Sequence, residues 1–247
     1  MRVLKCALLA FIVVTATAAQ SPDPPLSDTR LSVHTLVRED IFAGFLDDNL
    51  DRLAKAERNI EVLLKDRPTQ RANLLAWKAG ATTYRAILAL EAGKAEEFER
   101  LFSDARAGFA EASTLSSGSD GVAPITGGTM ALFADRLPAK YRGTAWTQAY
   151  DAYSLLWKQQ NAKIEQMPLH FKGEVLAGLT QAAQRTGRHD EAALYLDRML
   201  VLLADTQYEE TARQWKADPA SAAKTNLTCK SCHGAGRLSA RLKALEQ

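Results

Sequence analysis

From Leu36 to Lys65, apolar residues recur at three- and four-residue steps: Ile41, Phe45, Leu46, Leu50, Leu53, Ile60, Leu63 and Leu64. That spacing lays one apolar stripe along a helix, and Pro68 sets its end. The same period returns along the chain, punctuated by Gly and Pro. Thr69 caps a predicted second helix that passes Trp77 and Tyr84 to Leu90 and is ended by Gly93. A third runs from Lys94 through Phe98, Leu101, Phe102, Ala105 and Phe109 to about Ser113. Ser, Gly, Asp and Pro crowd residues 114–128, which predicts a loop and the point where the chain divides. Gly127-Gly128-Thr129 opens a short segment through Met130 and Phe133 that stops before Pro138. Lys140 to Gln166 reads as a long helix with Trp146, Tyr150, Tyr153 and Trp157 on neighbouring turns, stopped by Pro168. Leu169–Thr186 and His189–Ala204 pair around Gly187, and Tyr208–Lys216 is a short helix before Pro219. No run of β-branched residues alternates with polar ones. The expected fold is therefore all-α, built of antiparallel helical hairpins over residues 20–218, with a separate C-terminal segment over 219–247.

The first residues bear on the compartment. Arg2 and Lys5 form a positive start, Cys6 to Val14 is apolar, and Ala16-Thr17-Ala18 offers small residues at the spacing a signal peptidase reads. Residues 1–19 thus read as a secretory signal peptide. The apolar run falls short of the roughly 20 residues that span a bilayer, so no integral membrane segment is expected after cleavage. The whole chain has 31 Lys and Arg against 29 Asp and Glu. Removing Arg2 and Lys5 takes off two bases and no acid, leaving a formally neutral protein. Nucleic acid is then not an expected partner, because binding it needs a net positive surface. A basic excess remains after Pro219, where Lys224, Lys230, Arg237, Arg241 and Lys243 face only Glu246. Residues 20–33, rich in Pro, Ser and Asp, are predicted to be a mobile lead-in.

Within the pair at 169–204, Leu176, Leu179, Ala183, Gly187, Ala192, Leu196 and Met199 fall at spacings that resemble a tetratricopeptide repeat. Its Gly-x-x-x-Glu-Ala turn appears as Gly187, Glu191 and Ala192. A second echo at Gly93–Ala105 does not stand one 34-residue period away. The resemblance therefore implies tetratricopeptide-like hairpins and not a regular solenoid.

The residues with chemistry are Cys229-Lys230-Ser231-Cys232-His233. Two thiols on adjacent turns can add to the two vinyl groups of haem, and the histidine that follows sits beneath the iron as an axial ligand. Cys6 leaves with the signal, so no third cysteine remains. Three other readings stand beside haem. Cys229 to Gly236 also spells C-x-x-C-x-G-x-G, similar to one zinc-binding repeat of J-type co-chaperones, although those sites draw four thiolates from two repeats. A redox-active C-x-x-C pair usually opens a helix beside a βαβ pattern absent here. A plain structural disulfide is the third.

With its CxxCH motif the chain resembles c-type cytochromes. Residues 234–247 contain neither Met nor His, so the common arrangement with a downstream methionine ligand is excluded. The placement is similar to the four-helix cytochrome c′ and c556 group, whose motif lies on the last helix. In that group a basic residue follows the histidine by four positions, where this chain has Arg237, implying a propionate or haem-edge contact. The aromatic that usually precedes it is replaced by Gly236. The resemblance implies one covalent haem c, held by Cys229 and Cys232, with His233 as proximal ligand. A sixth ligand would come from upstream, among His34, Met130, Met167, His170, His189 and Met199.

The expected function is a soluble exported, periplasmic monohaem c-type cytochrome that passes one electron to a redox partner protein. Two alternatives are a helical-repeat adaptor or sensor with structural or gas-binding haem, and a zinc-bearing scaffold without a redox role. Carrier or binding protein is favoured over enzyme. There is no Ser/His/Asp set, no phosphate-binding glycine loop and no carboxylate pair that reads as catalytic.

Overall fold

The computed structural model describes residues 24–118 and 121–222. The signal-peptide reading of 1–19 and the expected haem-attachment residues Cys229, Cys232, His233 and Arg237 lie outside the described residues. Among the described residues the fold is all-α, with no strand. The elements are α1 (Val33–Asp47), α2 (Leu50–Asp66), α3 (Arg71–Glu91), α4 (Ala95–Leu115), α5 (Val122–Phe133), α6 (Ala139–Gln160), α7 (Leu169–Arg185), α8 (His189–Leu202), α9 (Gln207–Ala217) and α10 (Pro219–Ala222). Successive helices pack as antiparallel hairpins: α1 on α2, α3 on α4, α5 on α6 and α7 on α8. No described helix is long and apolar enough to cross a membrane.

The single helix expected over Leu36–Lys65 is two. Asp48 turns left-handed at φ 52°, and the Asn49 side chain accepts the Arg52 backbone N–H at 3.1 Å, opening α2. The chain folds back tightly there, with Leu53 seated against Gly44. Asp40, buried on α1, binds Arg52 at 2.6 Å and Lys55 at 3.2 Å across the crossing. Thr69 is not the cap of the next helix: Pro68–Gln70 form a 3-10 turn and α3 starts after Gln70.

The loop predicted at 114–128 is shorter, lying between Leu115 and Val122. α4 continues to Leu115 and α5 begins at Val122, so Gly127 and Gly128 are buried inside a helix. One apolar cluster runs from Val33 to Ala192 across this point, so the core is continuous there. The reason is the neighbour: Tyr153 of α6 lies against Gly127 and against Gly178 of α7, and only residues without a side chain leave room for its ring. The lead-in is fastened as well. Arg67 donates to the carbonyls of Leu31 (2.7 Å), Leu26 (2.6 Å) and Asp28 (2.8 Å), tying residues 26–31 to the end of α2.

A second cluster, Leu176, Ala177, Leu196, Met199, Leu203, Tyr208, Ala212 and Trp215, joins α7, α8 and α9. Trp157 and Tyr195 pack against both clusters, ring centroids 5.8 Å apart. The helix pair named for its tetratricopeptide spacing forms as α7 and α8, with Gly187 left-handed at φ 76° and Ala183 and Ala192 buried at the crossing.

Candidate functional site

The six upstream candidates for an iron ligand separate into four settings. Met130 and Met199 are buried in the first and second apolar clusters. Met199 also lies 3.5 Å from the Thr180 hydroxyl. Met167 ends the 3-10 turn that follows α6, half-buried beside Pro168. His34 and His170 line one narrow cavity, and His189 lines a wider groove.

The cavity, about 50 Å³, lies between α1, α3, α5 and α7. Phe42, Phe45, Trp77, Ile125 and Leu132 supply apolar walls, and His34, Arg38, His170 and Glu174 the polar ones. His34 stands four residues before Arg38, and His170 four before Glu174, so each pair shares a helix face. Arg38 Nη1 lies 3.1 Å from His34 Nε2. A guanidinium only donates, so this nitrogen accepts and the imidazole is neutral. Burial, the Arg38 charge and nearby His170 together push His34 down to about 3. Its ring lies against Trp77, centroids 5.2 Å apart. His170 Nε2 is 3.3 Å from the Glu174 carboxylate. Burial pushes the Glu174 carboxyl up, against the opposing pull of His170 and Arg38. Arg38 is balanced on its other side by Glu39 at 2.8 Å.

The groove, about 430 Å³, lies at the far end of α7. Thr180, Gln184, His189, Ala192, Ala193, Leu196, Asp197, Trp215, Lys216 and Pro219 line it. Its walls are mostly apolar, and its volume is within the usual range of small-molecule sites. Trp215 is fully buried at its base, so this ring is core to α7–α9 and not an open wall. Around the rim, His189 Nδ1 is 3.1 Å from Gln184 Oε1, and Lys216 pairs with Asp197 at 2.5 Å. His189 itself is exposed.

Size and position distinguish the two sites. Thr180 and Gln184 stand ten and fourteen residues beyond His170 on one helix, so the sites are about 15–21 Å apart at 1.5 Å per residue. Pro219 lines the groove, whereas the residues lining the cavity end at Glu174. A porphyrin does not fit in about 50 Å³, whereas the groove offers a broad apolar surface with polar groups at its edge. Arg38, Trp77 and Glu174 escaped the sequence reading. The four-residue spacing of His34 with Arg38 and of His170 with Glu174 was the available signal. Among the described residues no group of three or more His, Cys, Asp and Glu is placed to hold a metal ion. No family profile, curated protein or solved structure matches this chain.

Proposed function

We propose that this chain is an exported monohaem c-type cytochrome whose helical hairpins form a haem-facing surface at the α7–α8–α9 groove. The observation that carries the reading is Cys229-Lys230-Ser231-Cys232-His233 behind an export-type N-terminus. The groove supports it by position, because Pro219 of α10 lines it and Cys229 stands ten residues further along the sequence. Cys229 and Cys232 are the attachment residues and His233 the proximal ligand. Haem bound there supplies one-electron chemistry at iron.

The rest is the work of this chain's own side chains. Leu196, Ala192 and Ala193 offer an apolar surface that excludes water, which raises the cost of charge at the site. Lys216 and Arg237 are cations for propionates. His189 is the upstream ligand this reading favours, since it lines the groove and Met167 does not, Met130 and Met199 are enclosed in packed cores, and His34 and His170 belong to the narrow cavity. The basic residues after Pro219 suit an acidic redox partner.

Full-length protein secreted with a haem-attachment system should keep one haem through a denaturing gel. Its ferrous form should be low-spin and slow to take carbon monoxide, and His189→Ala should become high-spin and bind it at once. Stoichiometric zinc without haem overturns the reading. A wild-type ferrous protein already high-spin and quick to bind carbon monoxide shifts it to gas sensing.

A further inference from the structure

We propose that the cavity between α1, α3, α5 and α7 binds a short-chain monocarboxylate, its carboxylate toward Arg38, His34 and Trp77 and its alkyl end toward Phe42, Ile125 and Leu132. This site is separate from the groove and does not depend on the haem reading. The first support is the surplus of donors. Trp77 is 3% exposed, and its indole N–H has no hydrogen-bond partner among the described residues. An unmatched buried donor costs free energy that an oxygen ligand would recover. Of the five N–H bonds of Arg38, one goes to Glu39 and one to His34.

The second support is charge. Glu39 already balances Arg38, and burial favours the neutral forms of both His34 and Glu174. An arriving carboxylate would accept from the Arg38 N–H groups that Glu39 and His34 leave over. Burial pushes the Glu174 carboxyl up, which reduces the repulsion it offers an arriving anion. α3 and α5 bring no ionisable group to the cavity, so Arg38, His34, His170 and Glu174 are its whole titratable lining. α7 begins near this wall, with His170 in its first turn.

Size sets the class. A water needs about 10–15 Å³ on this measure, so the cavity of about 50 Å³ admits a ligand of about four or five non-hydrogen atoms. Acetate and propionate match, and long fatty acids do not.

The test is calorimetric titration of the full-length protein with sodium propionate, with the histidine ring resonances followed by NMR. One saturable site per chain is expected, with the His34 ring signals moving and the visible spectrum of any bound haem unchanged. Propionamide should bind at least tenfold more weakly, as should propionate to Arg38→Gln. Trp77→Phe keeps the ring but loses the donor, and should weaken binding severalfold. If Arg38→Gln does not fold, propionamide and Trp77→Phe decide. Absence of saturable binding to the folded wild type overturns the proposal, as do equal affinity for propionamide or an unchanged folded Arg38→Gln. Binding that alters the haem spectrum and leaves His34 unmoved also overturns it, because the ligand would then be on iron. Loss of haem with retained propionate binding would count against the cytochrome reading alone.

Discussion

Two glycines on this scaffold respond oppositely to the same substitution, because one touches a buried ring and the other touches nothing. A Cβ on Gly178 would come 2.3 Å from Tyr153 Cε2, and that ring is fully buried between α5 and α7. Alanine favours a helix over glycine by about 1 kcal/mol, but overpacking a fixed core costs about 1–3 kcal/mol or more. Gly178→Ala should therefore lose about 2 kcal/mol in denaturant unfolding. Gly143, inside α6 with open space around its Cβ position, should gain about 0.5–1 kcal/mol on becoming alanine. His34 makes a second residue-scale case. Its folded-state value lies at about 3 against an ordinary 6.5, so the unfolded chain takes up a proton first as pH falls. Stability is then greatest above 6.5 and declines toward 3. At 1.36 kcal/mol per pH unit, His34 should remove about 2 kcal/mol between pH 7 and 5. Chemical denaturation of His34→Gln should lack that share of the decline. Glu174 has the opposite sign, since its raised carboxyl favours the folded state at low pH and that contribution fades as pH rises through its folded value.

At the scale of elements, boundaries follow the spacing of apolar residues only where a cap agrees with it. The α7–α8 turn was readable, because Gly187 stands where a left-handed residue is needed and small residues flank it. The α1–α2 break was not, since the apolar steps run on through Asp48 and Asn49 and only the caps interrupt them. Long-range contacts decided the other departures. Gly127 and Gly128 read as a loop, yet Tyr153 makes a glycine-bearing helix the better-packed choice. The lead-in reads as unstructured by composition, yet Arg67 organises it from outside. Arg67 is 9% exposed and makes charge-assisted bonds to the Leu26, Asp28 and Leu31 carbonyls. Arg67→Met keeps the length but removes all three donors, and should cost about 3 kcal/mol. Amide exchange should quicken across 26–31 while Ile60 and Leu63 stay protected; uniform protection would mean the lead-in is held by its apolar contacts alone.

Over the whole molecule, the sequence by itself determined the class of structure and the location of its candidate chemistry. Helical periodicity with Gly and Pro punctuation is local, so an all-α hairpin fold was readable without a partner for any helix. The cysteine spacing is equally local, because a haem-attachment motif fits within two turns of chain. What only the tertiary structure decided is which distant residues share a site. His34 and His170 are 136 positions apart and His189 stands only 19 beyond His170, yet His34 and His170 meet in one cavity and His189 faces another at the opposite end of α7. That sorting depends on how helices cross, and crossings are set by the fit of particular side chains such as Leu53 on Gly44 and Tyr153 on Gly178. Periodicity states that a helix has an apolar face; it carries no information on which other face will cover it.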